Sequence, residues 1–224
     1  MAETTQSPPP PPPGLTREAE EAGFYHEAAL NASWTGARLA LGAMSFGFGA
    51  FVFAFFYLRS LNSHDDWYPA GFKNPQAWVG IVVLLLIVVS ALLQTVVLQR
   101  IKAGHKDAWQ IFGLIALGLG LAAVAFQIYQ LIDLPFKPGS SGYASVFSGF
   151  YPVFLVVQLA VLIWLEILLA RSRFIPALSF VEQPPTYSET HAVQRFQASL
   201  SAFSTVWTYM ALMALLFWFV FYAL

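Results

Sequence analysis

The chain has no cysteine, and only 10% of its 224 residues are charged. The first absence excludes disulfides, thiolate metal sites and a CxxCH haem attachment. The second excludes an ordinary soluble domain, in which about 25% of residues are charged. Charge of one sign is missing too. Eleven Lys and Arg against twelve Asp and Glu leave a net charge of −1, which gives no case for nucleic-acid binding. The stretch Met1 to Leu30 lacks a basic n-region and an apolar h-region, so no cleavable signal peptide is expected. Histidine is scarce: His26, His64, His105 and His191 all fall in the tail or in connections between apolar runs. A haem held within a bilayer needs an axial ligand from a helix, so the chain is expected to carry no haem, copper or other cofactor of its own.

What is present is apolar surface. Hydrophobic residues make up 58%, with 21 Phe and 7 Trp. Five runs, residues 38–58, 78–98, 111–131, 150–170 and 203–224, each reach the roughly 20 residues that a helix needs to cross a hydrocarbon core of about 30 Å. The fourth can begin as early as Tyr143, with Pro152 then kinking it or marking its first turn. The sequence therefore predicts an all-α, polytopic membrane protein. Residues 1–14, which contain an unbroken Pro run at 8–13, read as a disordered Pro-rich tail. Residues 15–37, with Glu18, Glu20, Glu21 and Glu27, read as an acidic segment at the membrane surface. Residues 38–224 form the five-helix transmembrane domain. Arg17, Arg38, Arg100, Lys102, Lys106, Arg171, Arg173 and Arg195 fall on one side of the membrane, and only Arg59, Lys73 and Lys137 on the other. The positive-inside rule then makes the N-terminus cytoplasmic and places Leu224 outside.

Few polar residues interrupt the runs. Glu166 is the one carboxylate inside them. At membrane depth a charge costs about 3 kcal/mol on insertion scales, so Glu166 is a candidate for function. It equally suits an interfacial pair with Arg171 or Arg173. Gln94, Gln127, Gln130 and Gln158 suit helix-to-helix hydrogen bonding, with Gln127 and Gln130 on one face. Small residues recur in the first run (Ala43-xxx-Gly47, Ser45-xxx-Gly49) and the third (Ala116-xxx-Gly120), a spacing that allows backbones to approach closely. Trp34, Trp67, Tyr68, Trp78 and Trp109 suit interfacial aromatic belts. Arg38 and Arg59, at opposite ends of the first run, suit lipid head groups or plain interfacial anchoring.

Several stretches resemble subunit III of the haem-copper (cytochrome c) oxidases. Ala54-Phe55-Phe56-Tyr57-Leu58-Arg59, followed by Trp67-Tyr68-Pro69, is similar to that family's AYFxLR ending and the loop after it. Leu119-Gly120-Leu121 through Gln127-Ile128-Tyr129-Gln130 resembles LGxxFLxxQxxE. Tyr143-Ala144-Ser145-Val146-Phe147 resembles YGSxFF. Gly149 to Phe154 stands where GFHGLH is expected, and Val206-Trp207 resembles the end of WHFVDxVW. The polar signatures differ. Met44 stands at the family's acid in this first helix, and Gln130 at the acid of the third-helix motif. Tyr151 and Phe154 stand at the two histidines of GFHGLH, and Ser201 and Ser204 at the His and Asp of the last motif.

The resemblance implies a divergent five-helix bacterial member with a subunit III-like bundle. It implies oxidase subunits I and II as partners, haems and copper held in those partners, and phospholipid in a V-shaped cleft between helices one and two and helices three to five. The expected role is a non-catalytic, structural and lipid-binding subunit of a respiratory terminal oxidase in a bacterial inner membrane. The alternatives are the related accessory subunit of nitric oxide reductase and a small membrane transporter.

Overall fold

In lipid a backbone must satisfy its own polar groups, and an α-helix does so within one segment. The computed structural model describes residues 17–62, 67–69, 71–102, 106–174 and 187–224. Among them the regular structure is helical: α1 (Arg17–Leu61), α2 (Ala77–Lys102), α3 (Lys106–Ile132), α4 (Gly142–Arg173) and α5 (Tyr187–Tyr222). All five are long and apolar enough to cross a membrane. The chain is an all-α, multi-pass membrane protein. The Pro-rich tail, the His64-Asp65-Asp66 stretch, His105 and the side chain of His191 lie outside the described residues.

All five helices start before their apolar runs, α1, α4 and α5 by eight residues or more. α1 begins at Arg17 and is continuous through Arg38, so the described part of the acidic segment and the first span are one element of about 67 Å at 1.5 Å per residue. The physical reason is local. Residues 17–37 are rich in alanine and glutamate, which are good helix formers, and contain no proline. His26 thereby lies on a helix and not in a tail, and its Nε2 is 3.1 Å from Gln194 Oε1 of α5. α4 begins at Gly142, where the Ser141 Oγ accepts the Ala144 N–H at 3.1 Å as an N-cap. Pro152 therefore sits well inside α4, where it cannot donate to the Ser148 carbonyl.

Packing follows a heptad. Along α3 the buried positions Trp109, Gly113, Ala116, Gly120, Ala123, Gln127 and Gln130 are spaced alternately four and three, with Val124 buried beside them. α2 shows the same spacing through Gly80, Val83, Ile87, Ser90, Gln94, Val97 and Ile101. α4 and α5 repeat it, as 147, 151, 154, 158, 161, 165, 168 and as 193, 196, 200, 203, 207, 210, 214, 217. A 3.5-residue repeat is the seam of left-handed bundles with shallow crossing angles. α2 packs most broadly on α3 and next on α5, while α5 also holds α1 and α4. α1 and α5 run parallel, with His26 beside Gln194 at one end and Phe55 against Phe221 at the other.

This arrangement corrects the expected cleft. α1 and α2 make no broad contact with each other, so they do not form a two-helix arm facing the rest. They flank α5 instead. The open groove lies between them, lined by Leu41 of α1, Leu98 of α2 and Ser201, Ser204, Thr205 and Thr208 of α5. Thr205 and Thr208 donate to the Ser201 and Ser204 carbonyls of their own helix, which turns both threonine hydroxyls to the backbone.

Candidate functional site

Lipid solvates apolar faces as well as protein does, so hydrophobicity alone does not mark an inward face, whereas buried small and polar residues do. The four intramembrane glutamines, 94, 127, 130 and 158, all fall on the buried seams. Gln127 Nε2 donates to Gln158 Oε1 at 2.5 Å, and Gln158 Nε2 donates to the Gly120 carbonyl at 3.3 Å, tying α3 to α4 twice. Gln130 Nε2 donates to Tyr222 Oη at 2.6 Å and to the Gln76 carbonyl at 3.2 Å. Tyr222 Oη in turn lies 3.1 Å from Tyr151 Oη, so this chain joins α3, α5 and α4. A third link joins α5, α2 and α3: Trp207 Nε1 donates to Ser90 Oγ at 3.1 Å, and Ser90 Oγ donates to the Ala116 carbonyl at 2.8 Å.

Beside these links a small cavity opens between α2, α3, α4 and α5, bordered by Gly80, Gln127, Tyr151, Trp218 and Tyr222. Its free volume is about 20 Å³, enough for one water molecule, which requires roughly 10–15 Å³ by the same measure. Gln127 Oε1 and Trp218 Nε1 are both buried without a protein partner, one an acceptor and one a donor. The site is neutral: amides, phenols and an indole. It can hold helices in register and host a single polar molecule, and no carboxylate of the described residues lines it.

Aromatic rings complete the frame. Phe48 is the anchor of α1, meeting Phe150, Phe154, Tyr209 and Phe217 at centroid distances of 5.8 to 6.4 Å. Phe150 and Phe217 stack at 3.7 Å. At the far end of the bundle Trp67 packs on Phe55 at 5.1 Å and on Tyr143 at 5.9 Å. Two of the expected belt tryptophans, Trp67 and Trp109, are thus buried in protein, whereas Trp78 and Tyr68 are exposed as a belt requires. No family model and no curated protein sequence matches the chain.

The residues singled out from sequence separate into two sets. Gln127 and Gln130 come together with Gln158, Tyr151 and Tyr222 at the interior site. Glu166, Arg38 and Arg59 do not join it. Arg38 is exposed on α1. Arg59 is half-buried, its guanidinium carbon 5.9 Å from the centre of the Phe55 ring. Glu166 is exposed on the outer face of α4 beside Ile163 and Ile167. Among the described residues it forms no ion pair with Arg171 or Arg173. The expected pair with Arg171 fails on helical geometry: five residues turn the helix by about 500°, which puts the two side chains about 140° apart. Arg173 shares the face of Glu166 but lies about 10 Å further along the axis.

Sequence reasoning misses Ser90 and Tyr222, and it reaches Tyr151 and Trp207 only through motifs. Ser90 carries a signal, being a lone hydroxyl in a run of Val, Leu and Ile. Tyr222 carries none, since it sits near a helix end where tyrosine is ordinary.

Proposed function

We propose that this chain is a non-catalytic, lipid-contacting structural subunit of a respiratory haem-copper terminal oxidase, of the subunit III type, in a bacterial inner membrane. Its N-terminus is cytoplasmic and its C-terminus is outside. It packs against the oxygen-reducing, proton-pumping core formed by subunits I and II, which hold the haems and copper. Arg38 and Arg59, 21 residues and so about 32 Å apart along α1, meet lipid head groups of the two leaflets.

One observation carries this reading, the outer face of α1. In the most apolar stretch of α1 only 11% of residues are buried, against 33 to 44% in the other four helices. Its Gly42, Gly47 and Gly49 have nothing within 4 Å of where a Cβ would stand, and Phe46 and Phe53 project from the same helix, 84% and 70% exposed. A helix with free small residues beside large apolar ones suits close packing on another transmembrane helix. Positions that carry the family resemblance support the reading as well. Trp67, Gln127, Tyr143 and Trp207 are all buried between helices, where they would define the frame of the bundle. The test is isolation of the tagged chain from its own membranes in a mild detergent, with identification of what accompanies it and a haem spectrum of the preparation. Copurification of a haem-copper core in fixed ratio is the expected result. Isolation of the chain alone, or with a partner free of haem and copper, would overturn the proposal.

A further inference from the structure

The bundle carries a second, chemically different site at its basic end. A groove of about 460 Å³ opens where the first third of α1, the last turn of α4 and the first third of α5 meet. Its volume is in the range of small-molecule sites. Arg171 of α4 and Arg195 of α5 both line it, together with Ser33 of α1 and Ser199 of α5, and the buried Leu168 and Phe196 give it an apolar floor. Among the described residues no Asp or Glu lines it, and neither guanidinium is in an ion pair or a side-chain hydrogen bond. Two cations from different helices border one groove, with no anion of the described residues between them. Such a pair repels unless a negative group bridges it, and guanidinium forks match the geometry of a phosphate.

The depth of the groove follows from the helix lengths. The stretches from Arg195 to the end of α5 at Tyr222, from the start of α4 at Gly142 to Arg171, and from Ser33 to the end of α1 at Leu61 are nearly equal in length. At about 1.5 Å per residue each spans about 40–44 Å, so all three side chains lie that far from the opposite end of the bundle. A bilayer with both head-group layers is about 40–45 Å thick. The arginines therefore sit at head-group level when the far helix ends sit at theirs, and the apolar floor of Leu168 and Phe196 begins the acyl region.

We propose that this groove seats one anionic phospholipid. Its phosphate lies between Arg171 and Arg195, the Ser33 and Ser199 hydroxyls donate to phosphate or ester oxygens, and an acyl chain lies on Leu168 and Phe196. A soluble phosphate would use the arginines but not the apolar floor, so the lipid is the occupant that fits every wall. The seat holds whatever complex the chain serves.

The experiment uses the full purified chain, depleted of lipid in a mild detergent, and native mass spectrometry. Dioleoyl-phosphatidylglycerol or dioleoyl-phosphatidylcholine is added at matched concentrations. The expected result is one phosphatidylglycerol retained per chain in preference to phosphatidylcholine, unaffected by 0.1 M inorganic phosphate (about that concentration suffices to screen surface charge). The double variant Arg171→Gln/Arg195→Gln should weaken retention at least about tenfold, and Arg173→Gln should leave it unchanged. Equal retention of the two lipids by the wild-type chain would overturn the proposal, and this comparison stands even where the double variant fails to fold. Displacement by inorganic phosphate would also overturn it in favour of a soluble anion. So would retention by a folded double variant equal to wild type.

Discussion

α1 and α3 carry the same kind of sequence and put it to opposite use. Both have small residues at helical spacing within an apolar run. In α3 Gly113, Ala116 and Gly120 face inward. A Cβ on Gly113 would stand 2.7 Å from the Leu169 side chain, and one on Gly120 would collide with Leu162, while the Gly120 carbonyl accepts the Gln158 amide. In α1 a Cβ on Gly42, Gly47 or Gly49 would meet nothing within 4 Å. Small residues therefore state that a backbone can be approached closely, and only the tertiary arrangement says by what. For α3 the answer lies inside the chain, in α4. For α1 no described part of the chain takes that place.

The largest effect should come from closing the α3 gap. Gly120→Leu forces the new side chain into Leu162 and displaces the carbonyl that Gln158 uses. Overpacking of this kind costs about 1–3 kcal/mol, and thermal unfolding of the purified chain in detergent should show a clearly lower midpoint. Gly49→Leu on α1, tested beside it, should leave the midpoint of the isolated chain unchanged. Equal losses from both would mean that α1 is packed inside the chain, and the contrast would fail.

The second effect reverses the order. In cells, Gly49→Leu should reduce recovery of the proposed haem-containing core with the tagged chain several-fold, since the proposal places a partner on this face of α1. A pull-down scored by haem per chain measures this. Undiminished recovery would mean that lipid, and not protein, covers α1.

Much of the frame was legible beforehand, because the membrane constraint is severe. Five runs of about 20 apolar residues admit few other structures. The inward faces were harder to read. With Val, Leu and Ile on all sides of α2, hydrophobicity does not distinguish lipid from protein, and the heptad of Gly80, Val83, Ile87, Ser90 and Gln94 emerges only from burial. The early start of α1 was hidden for a different reason. A search for apolar runs stops at Arg38, although the acidic residues before it are good helix formers. At the interior site Gln127 and Gln130 were legible as polar residues on one face, but their partners Gln158, Tyr151 and Tyr222 come from other helices, and the sequence holds no record of that approach. Glu166 drew attention for its charge and proves to face outward, because five-residue spacing does not place it over Arg171.

A third test works within the seams, where paired and unpaired amides can be set against each other. Gln127→Leu removes a bond across α3 and α4 and should lower stability by about 0.6 kcal/mol, with an upper range near 1.7. Gln94 is the contrasting case: it is 1% exposed, and neither amide atom has a protein partner. Gln94→Leu should therefore be neutral or raise the midpoint, since an unpaired buried polar group costs about 1–3 kcal/mol. A loss as large as that of Gln127→Leu would show that Gln94 has a partner in the working molecule.

The smallest effect belongs to Glu166, which tests the outward side of the comparison. Its neighbours on that face, Ile163 and Ile167, are exposed, so no internal group relies on its charge. It also stands seven residues before Arg173, close enough to the helix end for its carboxylate to reach up to the interface along the helix surface. Glu166→Gln keeps the size and polarity of the side chain and removes only the charge. The thermal midpoint of the isolated chain should stay within the change typical of surface substitutions, about 0.5 kcal/mol, and in the proposed complex proton-coupled turnover should stay close to wild type. A loss of pumping with assembly intact would give the outer face of α4 a proton-carrying role. A large loss of stability would instead mean that the carboxylate turns inward. Either result would end the division into an inner face that holds the bundle together and an outer face left to lipid and partner.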